Sequence, residues 1–116
     1  MGLDAKIYFR CQKPEPELEW DLPRGYSIYQ PDPNEDMPEV THGIDMGGDR
    51  YYGTHYERGP WPTIASVLLL LFASEDVEKV WYGHDASDPS ETSIKDVLEL
   101  SEHFMLYGSR PYRTRP

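Results

Sequence analysis

The chain has 116 residues, a length typical of one domain, and its aromatic content of 13% argues against wholesale disorder. Its formal charge of −10, from 21 acidic and 11 basic residues, disfavours direct nucleic-acid binding, because phosphates must be neutralised by cations. The single cysteine, Cys11, excludes an internal disulfide and a cysteine-based zinc site, and it is typical of a reducing compartment.

No targeting or membrane segment is evident. The start, MGLDAKIYFR, lacks the apolar stretch of a signal peptide, and the apolar run 64–73 is shorter than the roughly 20 residues of a membrane span. We therefore expect a cytoplasmic protein without membrane contact. A single α+β domain is predicted over 1–108, followed by a basic C-terminal tail over 109–116.

The first half of the chain is predicted to be extended. Apolar and polar residues alternate from Leu3 to Arg10, which predicts a strand with one buried face. Further strands are predicted at 25–30, 40–46 and 50–56, between acidic, proline-rich loops that disfavour helix.

The second half is predicted to contain two helices and one strand. The uncharged run after Trp61 and Pro62 predicts a buried helix over 62–74, and VEKVWYG at 77–83 predicts a strand. Asp88 as cap and Pro89 as first helical residue predict a second helix that ends at Gly108. Its apolar stripe consists of Ile94, Val97, Leu98, Ser101, Phe104 and Met105.

This order predicts an α+β fold, with a mixed four- to five-stranded sheet and two helices packed on one face. A right-handed crossover over 50–83 would bring two strand ends and a helix start to one rim, where anions and small ligands bind. The residues predicted to form a nucleotide-like ligand site there are Glu57, Arg58, Gly59, Tyr82, His84 and Asp85. The alternative is that Glu57 and Arg58 pair across a turn while Trp61 and Tyr82 pack.

Signals for catalysis are weak. His84, Asp85 and Glu57 could form an acid–base set, which makes a minor hydrolase the third hypothesis. The four histidines lack metal-ligand spacing, and Cys11 is interpreted as an inert thiol. We therefore predict a non-enzyme with no catalytic residue, metal or cofactor.

A protein interface is the leading interpretation. Tyr, Trp and Arg between residues 50 and 61 have the composition of a hot spot, although strand aromatics also fill cores. Ten acidic residues in 14–49 and nine in 75–106 either solvate the surface or face a basic partner. The predicted partner-binding residues are Asp32, Glu35, Asp36, Glu39, Tyr51, Tyr52, Tyr56, Trp61, Glu75 and Asp76.

The chain resembles small uncharacterised proteins of tailed bacteriophages and prophages. The resemblance lies in the segment RYYGTHYERGPWP, the apolar helix after it and the segment VEKVWYGHD, and also in the start MGLDAKIYF. The resemblance covers about half the chain, chiefly 50–85, and implies no catalytic activity. By analogy of size and charge, it implies an inhibitor that occludes host defence or nucleic-acid machinery.

The resulting hypothesis is an acidic accessory protein, acting in the cytoplasm of the host cell if it is phage-encoded, that binds and blocks a basic surface of a host protein. Its mode of action would be that of an anti-defence inhibitor or of a nucleic-acid mimic. A homodimer through an exposed edge strand, 3–10, is a further prediction.

Overall fold

The computed structural model describes residues 3–33, 35–46, 58–59, 61–84 and 88–106, and it has the predicted α+β class. The strands are β1 (Leu3–Cys11), β2 (Ser27–Tyr29), β3 (His42–Asp45), β4 (Arg58–Gly59), β5 (Val77–His84) and β6 (Ser90–Thr92). The helices are α1 (Trp61–Ala73) and α2 (Ile94–Leu106), with a short 3₁₀ helix at Glu17–Asp21. The predicted strand 50–56, residue Gly108 and the tail 109–116 lie outside the described residues.

The sheet has the strand order β2-β3-β1-β5-β6, with β4 paired to the start of β1. Every pairing between described strands is antiparallel, so the expectation of a mixed sheet was wrong in this respect. The reason is that β4 and β5 both run against β1 and do not pair with each other. β1 lies inside the sheet, which also contradicts its predicted role as a free edge for dimerisation.

The alternation along β1 produces one buried face, as predicted. Ala5, Ile7 and Phe9 are buried, and Ile7 and Phe9 pair with Tyr82 and Val80 of β5, which are buried as well. α1 contacts β1 and β5, and it contributes the fully buried Ile64, Val67, Leu68 and Leu71 to the same core. α2 packs against α1. The core therefore lies between the sheet and α1, and α2 lies next to α1.

The start of α2 differs from the prediction. Residues 90–92, expected to be the first turn, form β6 and pair with β5 from Tyr82 to Val80. The helix starts at Ile94, where Ser93 Oγ accepts a hydrogen bond from the Asp96 amide at 3.2 Å. Asp88 and Pro89 are therefore not its cap, because strand pairing holds the following residues extended.

The apolar stripe of α2 is only partly buried. Val97 is fully buried, but Ile94 and Leu98 are 51% and 56% exposed. The expectation that all three face the core was wrong, because α2 meets α1 along the side that carries Val97 and Ser101. Ser101 Oγ accepts a hydrogen bond from the Trp61 indole at 3.1 Å.

The outward face of the sheet, here called the open face, carries aromatic and charged side chains. The strand register places five residues in one row across it: Tyr29, Gly43, Tyr8, Trp81 and Glu91. Lys6, Arg10 and Lys79 belong to the same face. At Gly43, an added Cβ would lie 2.7 Å from Cζ of Tyr29, so the tyrosine ring occupies the space that any other residue needs.

We expect Gly43→Ala to destabilise the protein by about 1 kcal/mol, at the low end for overpacking because the atoms that must shift are the far end of the Tyr29 side chain. In a Tyr29→Ala background the clash is gone, and the same substitution should stabilise by roughly 0.5–1 kcal/mol, since glycine weakens a strand. Urea denaturation of the four proteins measures both values. An equal effect of Gly43→Ala in both backgrounds would contradict the contact.

Candidate functional site: an acidic end of the sheet

Three segments that are distant in sequence meet at the C-terminal end of β1. Lys13 Nζ lies 3.2 Å from Asp76 Oδ2, Gln12 Nε2 donates to Glu78 Oε2 at 2.7 Å, and Lys79 Nζ donates to Glu39 Oε1 at 3.0 Å. These contacts join the residues after β1, the loop before β3 and the α1–β5 turn. We call the resulting cluster the acidic end; its carboxylates are Glu15, Glu17, Glu39, Glu75, Asp76 and Glu78.

Carboxylates of the acidic end raise the pKa values of its two lysines, Lys13 and Lys79. The hydrogen bond and charge of Asp76, with a smaller contribution from Glu17, raise the pKa of Lys13 above 10.5. The hydrogen bond and charge of Glu39 likewise raise the pKa of Lys79 above 10.5. A raised pKa in the folded state means that the contribution to stability is present below pH 10.5 and is lost as the pH rises through the folded value.

The basic residues of the acidic end are already engaged. Arg10 Nε lies 3.4 Å from Glu78 Oε1, and Arg10 Nη1 donates to the Glu39 carbonyl at 3.0 Å. Glu15 and Glu75 are exposed and form no ion pair with a cation of the described residues. The acidic end therefore keeps a surplus of negative charge on its outer surface.

A groove of about 740 Å³ borders the acidic end. It is lined by Pro14, Glu15, Pro16, Glu17, Ile28, Tyr29, Gln30 and His42. This volume is within the range of about 300–1,000 Å³ that is typical of ligand sites. Two carboxylates on one wall give the groove the same sign of charge as the acidic end.

His42 fixes one wall of the groove. It is buried and stacked on Phe9, with a centroid distance of 5.1 Å. Its Nε2 donates to the Pro14 carbonyl at 3.0 Å, and its Nδ1 lies 2.6 Å from Thr41 Oγ1. His42 therefore ties Pro14 to the sheet and has a structural role.

A smaller cavity of about 140 Å³ lies on the open face. It is lined by Tyr8 of β1 and by Pro31, Asp32, Met37 and Val40 of the loop before β3. Tyr8 is half-buried, and Asp32 is exposed and forms no ion pair with a described cation. The cavity thus combines an aromatic ring, a carboxylate and apolar side chains.

The structure brings only part of the predicted partner-binding set together. Glu39, Glu75 and Asp76 belong to the acidic end, while Asp32, Glu35 and Asp36 are exposed in the adjacent loop. Tyr51, Tyr52 and Tyr56 lie outside the described residues.

Trp61 was wrongly predicted to be an exposed contact. It is 3% exposed, and its ring packs edge-on against Tyr82 with a centroid distance of 5.9 Å. Because Trp61 begins α1 directly above the sheet, its indole is drawn into the core.

The alternative ligand site is partly assembled. β4, with Arg58 and Gly59, and the end of β5 both pair with the start of β1, so the predicted rim segments do lie near each other. Tyr82 Oη and His84 Nδ1 are 3.3 Å apart, but Tyr82 is buried. Glu57 and Asp85 lie outside the described residues, and both cavities described above are elsewhere.

Sequence reasoning missed Tyr8, Met37 and Val40 as cavity residues, and it missed the groove. The alternation of apolar and polar residues in β1 does indicate that Tyr8 points outward. No sequence pattern indicates that a distant loop forms a cavity with it. Cys11 is buried, and its thiol donates to the Lys13 carbonyl at 3.6 Å. The described residues contain no cluster of potential metal ligands.

No protein-family model, curated protein or solved structure matches the chain. Within the described ranges, neither helix has the length and apolar character that crossing a lipid bilayer requires.

Proposed function

We propose that this chain is a binding protein that covers a basic surface of another protein with its acidic end, and thereby blocks that surface. The observation that supports this function is the convergence of carboxylates from three segments at one end of the sheet. A phage-type accessory inhibitor, as the resemblance implies, would work in this way.

The distribution of charge favours a protein partner over a small ligand. Arg10, Lys13 and Lys79 are paired within the acidic end, so its surplus charge comes from exposed groups such as Glu15 and Glu75. Complementary charge on a partner accelerates association and sets its orientation. The adjacent groove adds a recessed surface that shares Glu15 and Glu17 with the acidic end.

The test compares two charge-neutralised pairs with the same net charge. Glu15→Gln/Glu75→Gln removes surplus carboxylates of the acidic end, whereas Glu99→Gln/Glu102→Gln removes exposed carboxylates of α2. Binding of a hexa-arginine peptide is measured by calorimetry at about 50 and about 150 mM salt, a range over which screening of exposed charges changes. The same variants are then assayed against whichever basic protein the wild type retains from a lysate.

We expect the first pair to weaken peptide binding by roughly tenfold and the second pair by less than about twofold, because only the first lies at the proposed interface. Wild-type affinity should fall as salt rises. Equal losses in both pairs would show that net charge alone attracts the peptide. A wild-type affinity for the peptide that does not change with salt concentration would overturn the proposed function.

A further inference from the structure

We propose that the small cavity on the open face receives one lysine or arginine side chain of the partner. This inference rests on the proposed function and adds a specific anchor to it. The cavity is lined by Tyr8, Pro31, Asp32, Met37 and Val40.

The size of the cavity selects the occupant. A volume of about 140 Å³ is below the roughly 300–1,000 Å³ that is typical of sites for drug-sized ligands. That space accommodates a single side chain and is too small for a nucleotide or a folded segment. The groove, with a volume of about 740 Å³, is larger than this cavity. In one interface, the groove would contact a broader part of the partner, and the cavity would hold a single side chain.

The chemistry of the lining fits a long cationic side chain. The lining includes the aromatic ring of Tyr8, a residue type that attracts cations, and the carboxylate residue Asp32. Pro31, Met37 and Val40 provide apolar contacts for the methylene stem, which lysine and arginine bury while their charged heads stay near water. An acidic side chain would be repelled by Asp32, and a neutral one would gain nothing from its charge.

The protein's own nearby cations do not take this place. Arg10 and Lys79 share the open face with Tyr8, but their charged groups contact Glu78 and Glu39 at the acidic end. Lys6 is exposed on the other side of Tyr8 along β1 and forms no ion pair within the described residues. Asp32 is thus available to an external cation.

The location of the cavity links it to the proposed interface. Tyr8 and Arg10 project from the same face of β1, two residues apart, and Arg10 contacts Glu39 of the acidic end. The loop that lines the cavity ends at Glu39 and Val40. A partner seated on the acidic end would therefore have the cavity directly beside it.

The experiment measures binding of the hexa-arginine peptide to the full chain and to four variants. Asp32→Asn removes the carboxylate, Tyr8→Leu removes the ring, and Tyr8→Phe keeps the ring without the hydroxyl. Asp88→Asn, an exposed aspartate elsewhere, is the charge-matched control. Nitrogen–proton NMR spectra confirm that each variant is folded and locate the shifted amides in the wild type.

We expect Asp32→Asn and Tyr8→Leu each to weaken binding by about three- to tenfold, and Tyr8→Phe and Asp88→Asn by less than about twofold. Wild-type shifts should include residues 8, 32 and 37. If Tyr8→Leu does not fold, Asp32→Asn against Asp88→Asn decides. Equal losses in those two variants would overturn the cavity site.

The two proposals fail in different ways. Loss of binding in Glu15→Gln/Glu75→Gln without any effect of Asp32→Asn or Tyr8→Leu would retain the acidic end and overturn the cavity. Salt-independent binding with no effect of either pair of glutamate substitutions would overturn the proposed function, and the cavity with it.

Discussion

Replacement of Phe9 by alanine is expected to lower the free energy of unfolding by about 3–5 kcal/mol. Phe9 is fully buried near the C-terminal end of β1, where it pairs with Val80 on one side and with His42 on the other. Its ring also stacks on the His42 imidazole. Alanine would leave a cavity where the sheet, the groove wall and the first helix layer meet.

Urea denaturation followed by circular dichroism measures this change, and an unchanged slope would show that the native state is otherwise intact. Leu98→Ala is the matched control, because Leu98 is 56% exposed and its truncation should change stability by no more than about 0.5 kcal/mol. A Phe9→Ala protein as stable as the Leu98→Ala protein would contradict the described core.

Thr41→Val is expected to cost about 2–3 kcal/mol, because it leaves buried polar groups unpaired without changing the side-chain volume. Thr41 Oγ1 accepts a hydrogen bond from the Cys11 amide at 2.9 Å and lies 2.6 Å from His42 Nδ1. Valine can replace neither contact. Since His42 holds Pro14, the wall of the groove should loosen as well.

Thr41→Ser retains the hydroxyl and should lose less than about 1 kcal/mol, so the two variants separate the hydrogen bonds from the lost methyl group. Denaturation gives the stabilities, and hydrogen exchange of the Cys11 amide reports the local contact. Identical stability and exchange in both variants would show that the hydroxyl network contributes nothing.

The sequence predicted correctly those elements whose own residue pattern shows which side chains are buried. The alternation in β1 and the uncharged run in α1 each indicated one buried face or a buried helix, and both elements occur within one or two residues of the predicted bounds. Val77–His84 likewise matches the predicted strand. In these segments, periodicity and burial agree.

The failures occur where a distant segment decides the conformation. The Asp88 and Pro89 signals predict a helix start, but pairing with β5 makes Ser90–Thr92 a strand, and Ser93 becomes the cap. Trp61 lies in a segment that resembles a hot spot, but its position above Tyr82 buries it.

The candidate site was predictable in composition and not in arrangement. The acidic blocks of the sequence supplied Glu39, Glu75 and Asp76 as partner-binding residues, and the structure places them at one end of the sheet. The ion pairs of Lys13 and Lys79 depend on contacts between segments that are distant in sequence, and so does the cavity lined by Tyr8. No local sequence pattern predicts such contacts.

The interior position of β1 has a consequence for the order of folding. β1 comes early in the chain, yet Phe9 pairs with His42 and with Val80, which are synthesised much later. Loop closure over such separations must precede these contacts, so folding should be slow for a domain of this size. Until residues 77–84 emerge from the ribosome, the edge of β1 that pairs with β5 keeps its backbone hydrogen-bonding groups unpaired, and that interval is when a nascent chain is most prone to aggregate.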